Sequence, residues 1–137
     1  MIARIVISFV VCFISLFFNS VSGQKALIDS LLGIEMNQRD TSWVDTGLNG
    51  SYGVVYNDPE LSADFLDSIR RLAELRFYDS RLPRIYLNQG IAQDVMNQPD
   101  SALYFYSLGL SKAQERRDTT MIAAAYNNIG LIHWNSE

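Results

Sequence analysis

The chain has one cysteine, Cys12, one histidine, His133, and three prolines. A lone thiol closes no internal disulfide, so stability has to come from packing. A lone histidine assembles neither a metal cluster nor a Ser/His/Asp set. The carboxylates are scattered along the chain, with no pair arranged for acid–base work. Positive charge is also never concentrated: Arg70, Arg71, Arg76, Arg81 and Arg84 alternate with Glu60, Asp64, Asp67, Glu74 and Asp79, and the net charge is −4. A nucleic-acid surface needs clustered Lys and Arg. These shortages point to a protein that is not an enzyme, holds no metal or cofactor and binds no nucleic acid.

What is present is a folding composition, 48% hydrophobic and 19% charged, well away from the disordered class. The first residues have a different character. Arg4 supplies a positive start, Ile5 to Phe18 is apolar but for Ser8, Cys12 and Ser15, and a polar Asn19-Ser20-Val21-Ser22-Gly23 follows. This order predicts a secretory signal peptide over 1–23, cleaved after Gly23. The apolar run is shorter than the roughly 20 residues that span a bilayer. Export to a periplasmic or extracytoplasmic location follows, with a membrane-anchored chain as the alternative if the segment is retained. Cleavage would also remove Cys12.

Beyond this segment the sequence repeats. Displaced by 40 residues it aligns Gly50, Gly90 and Gly130, Val55 with Val95, Asn57 with Asn97, Pro59 with Pro99, Phe65 with Phe105, Ala73 with Ala113, Arg76 with Arg116, Tyr86 with Tyr126, and Asn88 with Asn128. A period of this length suits a pair of antiparallel helices joined by a tight turn. Proline is at home in a first helical turn, where its missing N–H is unneeded. Acidic Glu60 and Asp100 follow two of the prolines, at the positive end of the helix dipole. Asp118, Thr119 and Thr120 are capping residues.

The apolar spacing within each segment is helical. Ala102, Phe105, Tyr106, Gly109 and Ala113 form one stripe, and Ala63, Leu66, Ile69 and Ala73 another. The small Gly109 and Ala113 are placed for close approach of a neighbouring helix. Helices are expected over 42–56, 60–77, 83–96, 99–116 and 120–135. A short amphipathic helix near 26–36, carrying Leu27, Leu31, Leu32 and Met36, is expected to cover the open end. The organisation is then a capping helix within 24–40 and repeats over 41–80, 81–118 and 119–137. The reading requires residues 40 apart to do the same packing task, the three aligned glycines included.

These residues resemble the tetratricopeptide repeat family. Its first helix has an aromatic, Leu-Gly and an aromatic, matched by Tyr86 and Gly90, and its second is matched by Ala102, Tyr106 and Gly109. Tyr126, Ile129 and Gly130 open a further repeat, while Gly47 and Ser62 depart from the pattern. Tyr126 to Ile132, Asp100 to Tyr106 and Asp29 to Leu32 are similar to sensory repeats that precede a histidine kinase or DNA-binding module in Bacteroidetes-type proteins. The resemblance implies an all-α fold, with helix hairpins stacked as a short right-handed α-solenoid. It implies an interaction scaffold or sensory module for a protein or peptide partner. The alternative it implies is the input region of a sensor histidine kinase whose catalytic part lies outside this chain.

In that family the first helices line a groove, which maps onto Arg84, Leu87, Ile91 and Asp94, then Asn127, Leu131 and Trp134. The paired Lys and Asn that grip a C-terminal carboxylate are missing. Gly47, Gly50 and Gly53 before Val55 do not make a kinase glycine-rich loop, which also needs glycine at the place of Leu48, flanking strands and a following lysine. His133 stands where the family has a packing aromatic. The final segment is apolar on most sides, through Ile122, Ala123, Ala124, Ala125, Ile129, Leu131, Ile132 and Trp134. A terminal repeat normally turns a polar face outward, so further repeats are expected after Glu137.

Overall fold

The computed structural model describes residues 21–35 and 38–135. Most of the expected signal segment, residues 1–20, lies outside the described residues, as does Met36. The described residues form six helices and no strand: α1 (Val21–Leu32), α2 (Thr41–Val54), α3 (Pro59–Leu75), α4 (Leu82–Val95), α5 (Pro99–Glu115) and α6 (Thr119–Asn135). The all-α expectation holds. Five of the six helices start and stop within about two residues of the expected bounds, within the ordinary uncertainty of helix ends.

The punctuation works locally as its chemistry dictates. Pro59, Pro83 and Pro99 each stand in the first turn of a helix. The carboxylates of Asp40, Asp58 and Asp118 accept the backbone N–H groups of Trp43, Leu61 and Met121, satisfying donors that have no intrahelical partner. Three helices end alike, with Phe77, Asn97 and Arg117 at φ of 57°, 58° and 55°. The next N–H then reaches back: Tyr78 to Ala73, Gln98 to Gln93 and Asp118 to Ala113, at 2.8–2.9 Å. This is the left-handed C-cap usually given to glycine, built here three times without one.

Each helix packs on its chain neighbour, and α4 also touches both α2 and α6. One core gathers Ile28, Trp43, Val44, Leu48, Phe65, Leu66, Ile69, Leu72 and Ile85 from α1 to α4. A second gathers Leu87, Ala102, Tyr106, Ala125 and Ile132 from α4 to α6. In the second helices the 40-residue correspondence is a correspondence of burial. Ser62 and Ala102, Leu66 and Tyr106, Ile69 and Gly109, and Ala73 and Ala113 are all buried pairs. Ser62 is tolerated there because its hydroxyl donates to the Ser51 carbonyl at 3.0 Å.

The hairpin contacts repeat in the same way, with sizes exchanged. A Cβ on Gly47 would lie 2.9 Å from Ile69 Cδ1, and one on Gly109 would lie 3.0 Å from Leu87 Cδ2. Gly47 and Leu87 are 40 apart, as are Ile69 and Gly109. The first hairpin sets small on large where the second sets large on small, and the close-packed volume is preserved either way.

The aligned glycines do not share a task, so the requirement that all residues 40 apart pack alike fails at these positions of the first helices, and the correspondence of burial stands for the second helices. Gly50 faces Leu27 and Ile28 of α1, Gly90 lies under the Tyr106 ring, and Gly130 meets nothing within 4 Å. The link before α4 has six residues (76–81), whereas that before α6 has three (116–118). The α4-to-α6 displacement is therefore 37 residues, from Leu82 to Thr119, and not 40.

The first helix also differs from expectation. It runs Val21–Leu32, through the expected cleavage position at Gly23, and its buried stripe is Ile28 and Leu31, with Leu27 half-buried and Leu32 exposed. Its last carbonyls, which have no intrahelical partner, are satisfied by side-chain donors. The Trp43 indole donates to Leu31 O at 2.9 Å and the Arg39 guanidinium to Leu32 O at 3.0 Å. Arg39 also lies 4.6 Å above the Trp43 ring, a cation–π placement.

Candidate functional site

The three first helices, α2, α4 and α6, lie side by side, and their shared surface is a shallow cleft. Tyr52 of α2, Arg84, Leu87, Asn88 and Ile91 of α4, and Met121, Ala124 and Asn128 of α6 line a cavity of about 210 Å³. Side chains on α4 at spacings of three and four share a face, which is why Arg84, Leu87, Asn88 and Ile91 arrive there together. The floor is apolar (Leu87, Ile91, Met121, Ala124), and carboxamides, a guanidinium and a phenol ring it. Small-molecule sites run to about 300–1,000 Å³, so this cleft has room for one or two side chains of a larger ligand.

Polar links fix the α2–α4 wall. Arg81 donates to both carboxylate oxygens of Asp45, at 3.1 and 2.8 Å. This hydrogen bonding, aided by the charges of Arg81 and Arg84, holds the Asp45 carboxyl below its usual range. Arg84 donates to Asn49 Oδ1, and Asn88 Nδ2 to the Leu48 carbonyl at 3.4 Å. Arg84 and Asn88 of the rim are thus tied to α2, and their positions are set before any ligand arrives.

The chain matches no family model, no curated protein and no solved structure. The cleft is therefore interpreted from its own geometry.

Of the residues mapped from the sequence, Arg84, Leu87 and Ile91 face the cleft together. Asp94 is exposed beyond its lining, at the same end as Tyr56 and Tyr106. Burial, helped by the charge of Asp94, raises the Tyr106 phenol above the ordinary tyrosine range, and desolvation with the neighbouring Tyr52 raises that of Tyr56. Asn127, Leu131 and Trp134 are exposed and line no part of the cleft. The reason is the short link before α6. A displacement of 37 carries Arg84, Leu87 and Ile91 to Met121, Ala124 and Asn128, the lining residues, whereas one of 40 carries them to Ala124, Asn127 and Leu131. The signal was present in the sequence: helices expected to start at 83 and 120 already differ by 37. Asn88 shares the α4 face by the same helical spacing, whereas Tyr52 had no such signal, because only the approach of α2 to α4 brings it to the cleft.

Elsewhere, no group of His, Cys, Asp and Glu among the described residues could hold a metal ion. His133 is exposed on α6. No helix among the described residues is long and apolar enough to cross a membrane.

Proposed function

We propose that this chain is an exported helical-repeat module of tetratricopeptide type. Its first helices would grip a peptide segment of a protein partner in the cleft between α2, α4 and α6. The observation that carries this reading is the cleft itself: an apolar floor with Arg84 and Asn88 held at its rim, on the face where three first helices adjoin. Hairpins that repeat their burial and their paired small and large contacts at 40 residues support the solenoid part of the reading. Apolar side chains of the peptide would occupy the Leu87–Ile91–Met121 floor, and its backbone amides would meet Asn88 and Asn128. As a scaffold or sensory input, such a module acts through what it holds and makes no covalent change.

The test is selection from a displayed library of random peptides, read by affinity against cleft variants. Ile91→Glu and Arg84→Glu are expected to weaken a selected peptide at least about tenfold, roughly 1.4 kcal/mol. Trp134→Lys, outside the cleft, should leave affinity unchanged. Selected peptides that bind all three variants equally would refute the site. Export is tested separately, by N-terminal sequencing of chain recovered from outside the cytoplasm. A mature start at Gln24 is expected. That start keeps Gln24, Lys25, Leu27, Ile28 and Leu31, and with them the contacts of α1 with Gly50, Gly53, Asp58 and Trp43.

A further inference from the structure

The charges on α4 run against its own dipole. A helix favours carboxylates in its first turn and cations in its last, and α5 obeys, with Asp100 at its start and Lys112 at its end. On α4 the order is inverted: Arg84 stands in the first turn and Asp94 in the last. A local rule broken without a local gain marks a place where function sets the residue.

Both charges belong to the cleft face. Arg84 and Ile91 line the cleft, and Asp94 follows Ile91 at i+3, on the same side of the helix. At the Arg84 end, Arg81 matches the Asp45 carboxylate at 3.1 and 2.8 Å. The charge of Arg84, bonded to the neutral Asn49, is then left over. At the other end Asp94 makes no ion pair among the described residues. The α6 wall adds no charge of either sign, since it holds no Asp, Glu, Lys or Arg. The cleft is therefore positive at one end, apolar along its floor and negative at the other end.

The negative end also offers aromatic rings. Tyr52 and Tyr56, 50% and 65% exposed, meet edge to face with centroids 6.5 Å apart. Burial, then Tyr52, then the charge of Asp94 raise the Tyr56 phenol, so the carboxylate acts within reach of these rings. Exposed ring faces beside an unpaired carboxylate suit an ammonium or guanidinium group.

We infer that the cleft selects its peptide by charge order: an acidic side chain at Arg84, apolar side chains over the floor, and a Lys or Arg held by Asp94 and the Tyr52–Tyr56 pair. This rests on the peptide-binding reading above and specifies its ligand. Arg84 and Asp94 are ten residues apart on one helix, a rise of about 15 Å, which an extended chain covers in about four or five residues. The acidic and basic residues of the ligand stand that far apart in sequence. Complementary charge at two ends fixes the register of the peptide as well as its affinity.

Peptides selected on the full chain from a displayed random library test this. They should share an acidic residue and a Lys or Arg about four or five positions apart. Asp94→Lys should weaken them at least about tenfold. The same variant should raise the urea midpoint, because a cation in the last turn is favoured; damage to the fold would lower both. Tyr56→Ala should also weaken them. The double variant Arg84→Glu, Asp94→Lys should prefer peptides whose acidic and basic residues are exchanged, again by at least about tenfold. Peptides lost on Ile91→Glu but held equally by Asp94→Lys overturn this inference and leave the cleft reading standing, as does a double variant without that preference. Peptides indifferent to Ile91→Glu overturn both.

Discussion

At Gly90 a Cβ would enter the ring of buried Tyr106, whereas at Gly130 it would meet nothing within 4 Å. The same substitution should therefore act in opposite directions at two helical glycines. Gly130→Ala removes the backbone freedom of glycine and should stabilise by about 0.5–1 kcal/mol. Gly90→Ala makes the same gain but overpacks the hairpin, at about 1–3 kcal/mol, for a net loss. Urea midpoints of the two variants, measured at low concentration, decide this. A second residue-scale effect sits at Phe77, which is 84% exposed and has φ of 57°. A side chain in this conformation costs about 1–2 kcal/mol, and so exposed a ring contributes little packing. Phe77→Gly should raise the melting temperature, by about 0.5–1 kcal/mol of stability once glycine's unfolded freedom is subtracted. Equal or lower stability would mean that the ring makes compensating contacts.

Between elements, the informative pair is Leu87 with Gly109, the size-exchanged counterpart of Gly47 with Ile69. Leu87→Gly alone opens a cavity beside Gly109, and Gly109→Ile alone drives a side chain into Leu87 and the Pro83 carbonyl. Together they rebuild the arrangement of the first hairpin. The double variant should be more stable than the sum of the single effects by about 0.5–3 kcal/mol. Additive losses from chemical denaturation would show that the two hairpins only resemble each other in outline. The stripe of each second helix could be read from spacing. Which partner supplied the large side chain could not, because apolar periodicity records polarity and not volume.

For the whole molecule, long-range ion pairs join helices distant in sequence: Lys25 of α1 with Asp58 at the start of α3, and Asp45 of α2 with Arg81 before α4, both at 2.8 Å. Hydrogen bonding from Lys25, with the Leu61 N–H, lowers the Asp58 carboxyl, and Arg81 lowers Asp45. Groups with depressed folded values contribute stability above the unfolded carboxylate value, about 3.9. That contribution is lost as pH falls through the lower folded values. Stability should therefore decline as pH drops below about 4, and Asp45→Asn with Asp58→Asn should make the decline shallower. The carboxamide that replaces the Asp58 carboxylate still caps α3, so unfolding curves of this variant from neutral to acid pH isolate the charge. An unchanged slope would assign the acid sensitivity to other carboxylates. The pairs are partly exposed, and added salt should reduce their effect.

The helical class, the bounds of five of the six helices and the burial of the second helices were legible in the residues alone. These follow from local causes: proline and aspartate at starts, caps at ends, and apolar residues every three or four positions. What each aligned glycine touches, that Tyr52 reaches the cleft and where α1 stops came only from the tertiary packing, while the α6 lining followed from the length of the preceding link. A helix turns about 100° per residue, so the three residues missing from the link before α6 rotate its repeat positions by about 300°, which leaves them about 60° off. That rotation separates Ala124, in the cleft, from Asn127, outside it. Alignment by residue type carries no record of that rotation, because it aligns side chains and not helix starts. Contacts between helices that no local spacing encodes, such as Tyr52 with the cleft or Gly90 with Tyr106, arise only when the helices pack.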